Sequence, residues 1–395
     1  MSIIPLHYTN RYTRIETPQD DRALGDILVR SFHQLSDYWP AYRDRVGRHN
    51  FRLIKQNDTV LGGCAVYNMG QWFGGRRLPL RGVAAVGVAP EYRGRGVALQ
   101  LLHHVVRECA ADGVPLSALY PAVPQLYQKV GYERAGLHCR WQLPLKAIAP
   151  GSRSLPVYRV DRDRSEPFET VYRQFARDRN GYLDRPAALW QNILGAEDDP
   201  VVADCIGDRD DPQGYIIYTV DRRDGQTLLD VRDWAATTPE AVRRLWTFAA
   251  DHRAQIGAMS WWGTGVEPWL SLVDDRSATI ATQKIWDLRI VNAATALSDR
   301  PYPPVTTELH FHIRDDLLAA NNGKIILVVT NGTGETISGG RGELQLNIRG
   351  LASLYTGLIS ARSLQHIGFL KGSDRAIATA DLLFCGPVPG MPDFF

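Results

Sequence analysis

The run from Val83 to Leu102, Val-Ala-Ala-Val-Gly-Val-Ala-Pro-Glu-Tyr-Arg-Gly-Arg-Gly-Val-Ala-Leu-Gln-Leu-Leu, constrains this chain more than any other stretch. Small and β-branched apolar residues stop at Pro90, a turn rich in glycine and arginine follows, and apolar residues then recur at helical spacing. The pattern predicts a strand, a tight basic loop and a helix N-terminus. A helix start carries unpaired backbone N–H groups and a partial positive charge, so it attracts an anion. Gly94 and Gly96 let the backbone come close, and Arg93 and Arg95 add charge. The expected guest is a pyrophosphate.

What the loop lacks narrows the choice. A P-loop requires lysine followed by serine or threonine after its last glycine, and Val97 and Ala98 stand there. A dinucleotide fingerprint requires a third glycine where this chain has Leu99. The remaining pattern is Arg-x-x-Gly-x-Gly/Ala, with Arg93 as its first residue and Gly96 at the glycine position. It resembles the acetyl-CoA loop of the GNAT superfamily of N-acetyltransferases. The resemblance implies acetyl-CoA as co-substrate, held by Val86, Gly87 and Val88 on the strand and by Arg93, Gly94, Arg95, Gly96 and Val97 at the loop and helix start, with no metal.

A chain of 395 residues exceeds what one core organises, so two or three domains are expected. Hydrophobic residues make up 44% and charged residues 22%, as in ordinary globular proteins. No segment reaches the roughly 20 apolar residues that span a bilayer, and the N-terminus lacks the basic-then-apolar order of a signal peptide. A cytoplasmic location with no membrane partner is the expectation. Five cysteines without a Cys-x-x-Cys pair suggest reduced thiols, not a disulfide framework or a zinc site. A formal charge of +2 with scattered arginines gives no reason to expect nucleic acid.

Taken in order, the chain predicts a helix over 20–32, a second including Trp39 to Val46, and a hairpin of Phe51–Lys55 with Val60–Tyr67. The strand, loop and helix of the opening stretch follow, the helix ending at Asp112-Gly113. Leu116–Tyr120 reads as a strand and Gln125–Tyr132 as a short helix stopping at a glycine. Its Tyr-Gln-Lys-Val-Gly-Tyr is a second GNAT-like element, and the resemblance points to Tyr127 beside the thioester sulfur, with Tyr132 in packing. A domain over residues 1–150 ends at an Ala-Pro-Gly-Ser linker. Residues 151–290 repeat the grammar, but the counterpart loop, Ala235 to Trp246, has Thr238-Pro239-Glu240 as a helix start and no glycines. It reads as a GNAT-like unit without the cofactor loop.

Residues 291–395 change character: alternating strands at Glu308–Asp315, Gly323–Thr330 and Gly342–Ile348 precede helical stretches at 351–359, 361–367 and 373–384. This order resembles a sterol-carrier-protein-like domain. The fold class is therefore α+β, with tandem GNAT-type folds followed by that domain. The three parts together resemble the Eis (enhanced intracellular survival) family, whose members acetylate primary amines, including several amines of one aminoglycoside, and assemble as hexamers. The resemblance implies two catalytic groups, Tyr127 as general acid and the C-terminal carboxylate of Phe395 as base, with Val88 N–H toward the acetyl carbonyl. It also implies a substrate pocket with Phe32, Trp39 and Asp393, while Gln34 stands near a place where the family has an acidic residue. His33, His103 and His104 are rival bases without an assigned role. Alternative functions are protein-lysine or polyamine acetylation, or a non-catalytic lipid- or acyl-CoA-binding module.

Overall fold

A computed structural model of the chain describes residues 10–33, 38–196, 199–223 and 225–395. The first third runs β1 (Arg11–Thr13), α1 (Pro18–Phe32), α2 (Tyr38–Val46), β2 (Phe51–Gln56), β3 (Thr59–Phe73), β4 (Arg76–Val88), α3 (Val97–Ala111), β5 (Leu116–Leu119), α4 (Pro124–Gln128) and β6 (Glu133–Pro144). The middle third runs β7 (Val157–Arg159), α5 (Glu166–Arg177), β8 (Leu183–Asp184), α6 (Ala187–Leu194), β9 (Val202–Gly207), β10 (Pro212–Arg223), β11 (Gln226–Ala236), α7 (Pro239–Asp251), β12 (Ala258–Gly263) and β13 (Thr279–Ile290). The last third comprises α8 (Ala293–Asp299), β14 (Thr307–Arg314), β15 (Gly323–Thr330), β16 (Thr333–Ser338), β17 (Leu344–Asn347), α9 (Ile348–Thr356), α10 (Ala361–His366), β18 (Leu370–Lys371) and α11 (Asp374–Phe384).

Among the described residues, the first two thirds share one sheet of 13 strands, ordered β1-β2-β3-β4-β5-β13-β6-β12-β11-β10-β9-β7, with β8 paired to β3. The two units are therefore fused: β13, at the end of the second, lies between β5 and β6 of the first, antiparallel to both. The last third forms a sheet ordered β16-β15-β14-β17-β18. Its α9 packs on β6 and β13, where the Arg349 guanidinium pairs with buried Glu133 at 2.5 Å. The apolar faces of α9 and α11 are used in this shared core, since Leu351, Leu354, Ile377 and Leu383 are all buried in it.

Local chemistry explains the elements that position the site. The α1 start is a capping box, with Thr17 accepting from the Asp20 N–H and Asp20 accepting from the Thr17 N–H. Asp20 is buried and Lys55 neutralises it at 2.6 Å. Leu24, Ile27 and Leu28 face the sheet at helical spacing. The short helix at Tyr127 is tighter than its sequence suggests: it ends at Gln128, and Gly131 turns the chain at φ +89 against the Arg289 guanidinium. In the last third, Asn331-Gly332 is a two-residue turn with both φ positive, at 47 and 82. It joins β15 to β16, a strand that the sequence pattern did not reveal. All five cysteines are free thiols, four buried and Cys385 exposed. No helix among the described residues is long and apolar enough to cross a membrane.

Candidate active site

The opening sequence feature becomes a strand that splays away from its neighbour. Strand β4 pairs in parallel with β5 only at Leu80–Leu116, Arg81–Ser117 and Gly82–Ala118. Beyond Gly82 the two strands part, which leaves one backbone edge of Val83–Val88 without a strand partner among the described residues. On the other edge, the register with β3 steps from Ala84–Ala65 to Gly87–Gly63, so Ala85 and Val86 face the single residue Cys64. Ala85 adopts φ +49, a conformation that costs an alanine roughly 1–3 kcal/mol. Such a strained bulge persists because the flanking ladders hold it.

After β4 the chain makes one 3-10 turn at Pro90–Tyr92 and enters the loop. Gly94 and Gly96 have φ +74 and +78, and an added Cβ at either would meet nothing within 4 Å. Their requirement is conformational: only glycine takes this backbone cheaply. Gly96 is the N-cap of α3 and supplies no side chain, so the first N–H groups of that helix have no side-chain cap. Arg93, Gly94, Arg95 and Gly96 are exposed, whereas the Val97 side chain is buried in the core, leaving its backbone N–H as the part able to meet a ligand. Arg93 Nε donates to the Val88 carbonyl at 3.3 Å, and Arg95 lies over the Tyr92 ring. The start of α7 in the second unit is closed instead. There the Thr238 hydroxyl accepts from the Ala241 N–H at 3.2 Å.

A cavity of about 600 Å³ opens beside the splayed strand. Val83 to Val86, Tyr127, Phe32, Phe394 and Phe395 all border it. Tyr127 is buried, and loss of solvation, with some help from the Asp287 charge, lifts its hydroxyl far above the usual tyrosine range. It stays protonated at neutral pH. Gly87 is pinned: an added Cβ would lie 2.7 Å from Leu28 of α1.

The end of the chain reaches this cavity by threading between the two units of the large sheet. Gly390 bridges Leu137 of β6, with Leu137 N–H donating to Pro389 O at 3.1 Å and Met391 N–H to Leu137 O at 3.2 Å. His138 Nδ1–H donates to Met391 O at 2.6 Å, and burial drives its imidazole pKa down to about 4. The Tyr120 hydroxyl reaches Met391 O at 3.1 Å and Asp393 O at 2.7 Å. From the second unit, Arg185 Nε donates to Asp393 Oδ1 at 2.7 Å, and Tyr172 donates to Oδ2 at 3.3 Å. Arg185 is buried, stacks 3.6 Å over Tyr172, and also grips Asp233 through both Nη atoms at 2.6 and 2.9 Å. The Phe395 ring then sits on Gly82 and packs edge-on to Tyr67 at 5.8 Å between centroids.

The sequence-derived residues thus divide. Tyr127, Phe395, Phe32 and Val86 border one cavity, and the loop residues lie on the exposed helix start. Asp393 is not available to a substrate, because its carboxylate is spent on Arg185 and Tyr172. Trp39 does not border the cavity. Its indole is buried flat on Gly25, where an added Cβ would lie 2.4 Å away, and Nε1 donates to Asp21 at 3.0 Å. The neighbouring Tyr38 takes the place by the cavity, with Tyr42 and Arg45 one and two turns on. Gln34 lies outside the described residues. His33, His103 and His104 are not part of the cavity wall; His104 stacks on Tyr12 at 4.8 Å, and burial lowers the pKa of His103 to about 4. Sequence reasoning missed Tyr120, His138, Arg185, Arg45 and Lys284. None stands in a local motif.

A splayed parallel strand pair, a glycine loop on an open helix start and a buried tyrosine in the adjoining cavity define a GCN5-related N-acetyltransferase. These parts fit acetyl-CoA, since the loop offers backbone N–H groups to a pyrophosphate and the strand gap offers a peptide-like edge to its pantetheine arm. Comparison with known proteins agrees. Acetyltransferase (GNAT) domain models match residues 17–135 and 181–290, and a sterol carrier protein domain model matches 293–392. A GCN5-related N-acetyltransferase from Anabaena variabilis is 43% identical, with a TM-score of 0.95 over 98% of this chain and 100% of that one. The N-acetyltransferase Eis of Mycobacterium tuberculosis is 28% identical over 79% of each chain. Eis1 from Mycobacterium abscessus, at 21% identity, shares the fold with a TM-score of 0.81 over 98% of this chain and all of that one. The chain belongs to the Eis family of GNAT N-acetyltransferases.

Proposed function

We propose that this N-acetyltransferase moves the acetyl group of acetyl-CoA to a primary amine by direct attack, with Tyr127 as the acid and the Phe395 carboxylate as the group that receives the amine. One observation carries the reading: the last residue of the chain, Tyr127 and the splayed edge of β4 border a single cavity. Acetyl-CoA supplies an activated acetyl group. The free edge of β4 supports backbone donation to the acetyl carbonyl, with Val88 N–H in that role. Tyr127 borders the cavity and is protonated at neutral pH, which supports proton donation to the departing thiolate. A terminal carboxylate has an unperturbed pKa of about 3.3–3.7, which makes it a weak base. It attracts and orients an ammonium group and takes its proton through water.

The capped start of α7 supports a single acetyl-CoA site per chain, in the first unit. Assembly as a homo-oligomer, a hexamer on the family resemblance, belongs to the same proposal, and light scattering on the purified protein tests it. The activity is tested by following thiol release from acetyl-CoA with a panel of aminoglycosides, polyamines and lysine peptides. No release with any of them overturns the reading. A short C-terminal extension is expected to nearly abolish turnover while leaving acetyl-CoA affinity intact. Unchanged turnover removes the carboxylate from the mechanism.

A further inference from the structure

Strand β13 brings a carboxyl to the side of the site where Tyr127 stands. Its side chains alternate between the two faces of the large sheet. Trp286, Leu288 and Ile290 enter the core beneath α9. Ile285, Asp287 and Arg289 point the other way, and Ile285 borders the cavity. Asp287 lies opposite Leu119 of β5, whose side chain packs in the cluster that holds Tyr127. Arg289 lies opposite Ser117, whose hydroxyl meets that of Tyr132 at 2.7 Å. Asp287 therefore stands one strand repeat, about 7 Å, past the cavity wall on the face that carries Tyr127.

Asp287 is 2% exposed, and among the described residues no donor or cation reaches its carboxyl within bonding distance. The charges around it are engaged elsewhere. Glu133 on β6 is held by Arg349 of α9 at 2.5 Å, and Arg289 grips Asp315 through Nη2 at 2.6 and 2.8 Å. Arg134, directly opposite on β6, is exposed, and Lys284 and Phe395 border the cavity itself. Burial, reinforced by Glu133 and countered by Arg134 and Arg349, holds the carboxyl up at about 7. The charge of its ionised form reaches Tyr127 and pushes that hydroxyl upward. A buried carboxyl without a partner costs stability, and groups of this kind gather where chemistry uses them.

We propose that Asp287 is a positioning residue for acetyl transfer, acting on Tyr127 through the field between them: its neutral carboxyl lets the phenol protonate the departing thiolate, and its ionised carboxylate opposes that step. In the step the Tyr127 O–H bond breaks, the S–H bond of CoA forms, and negative charge stays on the phenolate oxygen. An ionised carboxylate on the same face of the sheet repels that charge, and a neutral carboxyl does not. The phenol is restored by one of the two protons the ammonium loses on becoming an amide, and the other leaves to solvent. This inference rests on Tyr127 as the acid, and the test separates the two.

The measurement is kcat from about pH 6 to about pH 9, with acetyl-CoA and the fastest of kanamycin, spermidine and N-α-acetyl-lysine amide both saturating. The readout is the ratio of variant to wild type, in which titrations of the amine and of the chain end cancel. For Asp287→Asn, and for Asp287→Ser as a second neutral residue, the ratio is expected to rise by about tenfold across the range. For Asp287→Glu, which keeps the titration, it is expected to stay flat. In a Tyr127→Phe background, adding Asp287→Asn is expected to give no rise. A purely structural Asp287 would move the melting temperature and leave every ratio flat. A flat ratio for both neutral variants, or the same rise without the Tyr127 hydroxyl, overturns this inference and leaves Tyr127 as the acid. Wild-type kcat in Tyr127→Phe alone overturns the acid role and this inference with it.

Discussion

Replacing Asp393 by alanine separates the anchor of the chain end from the chemistry at its last residue. Asp393 is 5% exposed, and its carboxylate is held by Arg185 Nε at 2.7 Å and the Tyr172 hydroxyl at 3.3 Å. Arg185 keeps both bonds to Asp233 after the change, so no buried charge is left uncompensated and the loss is that of the charge-assisted contacts to Asp393, about 2 kcal/mol. About 2 kcal/mol is roughly a 30-fold shift from docked to released tail, at about 1.36 kcal/mol per tenfold. Two readouts follow in parallel: the rate at which carboxypeptidase removes Phe395, and kcat with acetyl-CoA saturating. Faster removal of Phe395 with a fall in kcat, at unchanged acetyl-CoA affinity, is the expected result. A released tail with wild-type kcat would refute the role of the carboxylate. A tail as protected as in the wild type would refute the anchor.

Tyr127→Phe removes the only proton that side chain can donate, so kcat is expected to fall by about 100-fold or more while acetyl-CoA affinity, measured by calorimetry, holds. Gly96→Ala forces φ +78 on an alanine without crowding anything, at roughly 1–2 kcal/mol; the expectation is weaker acetyl-CoA binding with a small drop in melting temperature. Two buried groups give opposite pH signatures. Burial lowers the His138 pKa to about 4 from the usual imidazole value of 6.5, so the stability of its neutral form is lost as pH falls from about 6.5 to about 4, about 3 kcal/mol in all. Urea titrations of His138→Asn across that window should lose this part of the slope. Asp287, raised to about 7 by burial and by Glu133, does the reverse: it is comfortable protonated and costs stability as pH rises from about 4 through 7. Asp287→Asn should therefore be more stable than the wild type at pH 8, by up to about 4 kcal/mol, and close to it at pH 4. Equal shifts at both values would refute that.

Elements built from contacts between chain neighbours are legible in the sequence, and those built from distant contacts are not. The loop from Pro90 to Gly96 was legible because its causes are local: glycines at positive φ, an uncapped helix start, and apolar periods that switch from strand to helix within twenty residues. The capped α7 and the 3.6-residue face of α1 are of the same kind. The resemblance put Trp39 in the pocket by its place in the chain, which does not fix the direction in which its ring points. That was settled by the missing side chain of Gly25, fourteen positions away. The insertion of β13 between β5 and β6 was likewise invisible, since periodicity identifies a strand without naming its neighbours.

From the residues alone came an anion-binding loop at a helix start, a short helix carrying Tyr127 and a change of character in the last third, all signals carried by neighbours in the chain; the resemblance those residues carry made the loop an acetyl-CoA loop. Folding made a site of them. Asp393 meets Arg185 across 208 positions and Tyr120 meets Asp393 across 273, and such pairs have no signature in composition or spacing because a chain of this length offers many arginines to any one aspartate. Their partner is chosen by the continuous sheet that sets the two acetyltransferase-like units side by side and leaves a slot between them for the last residues.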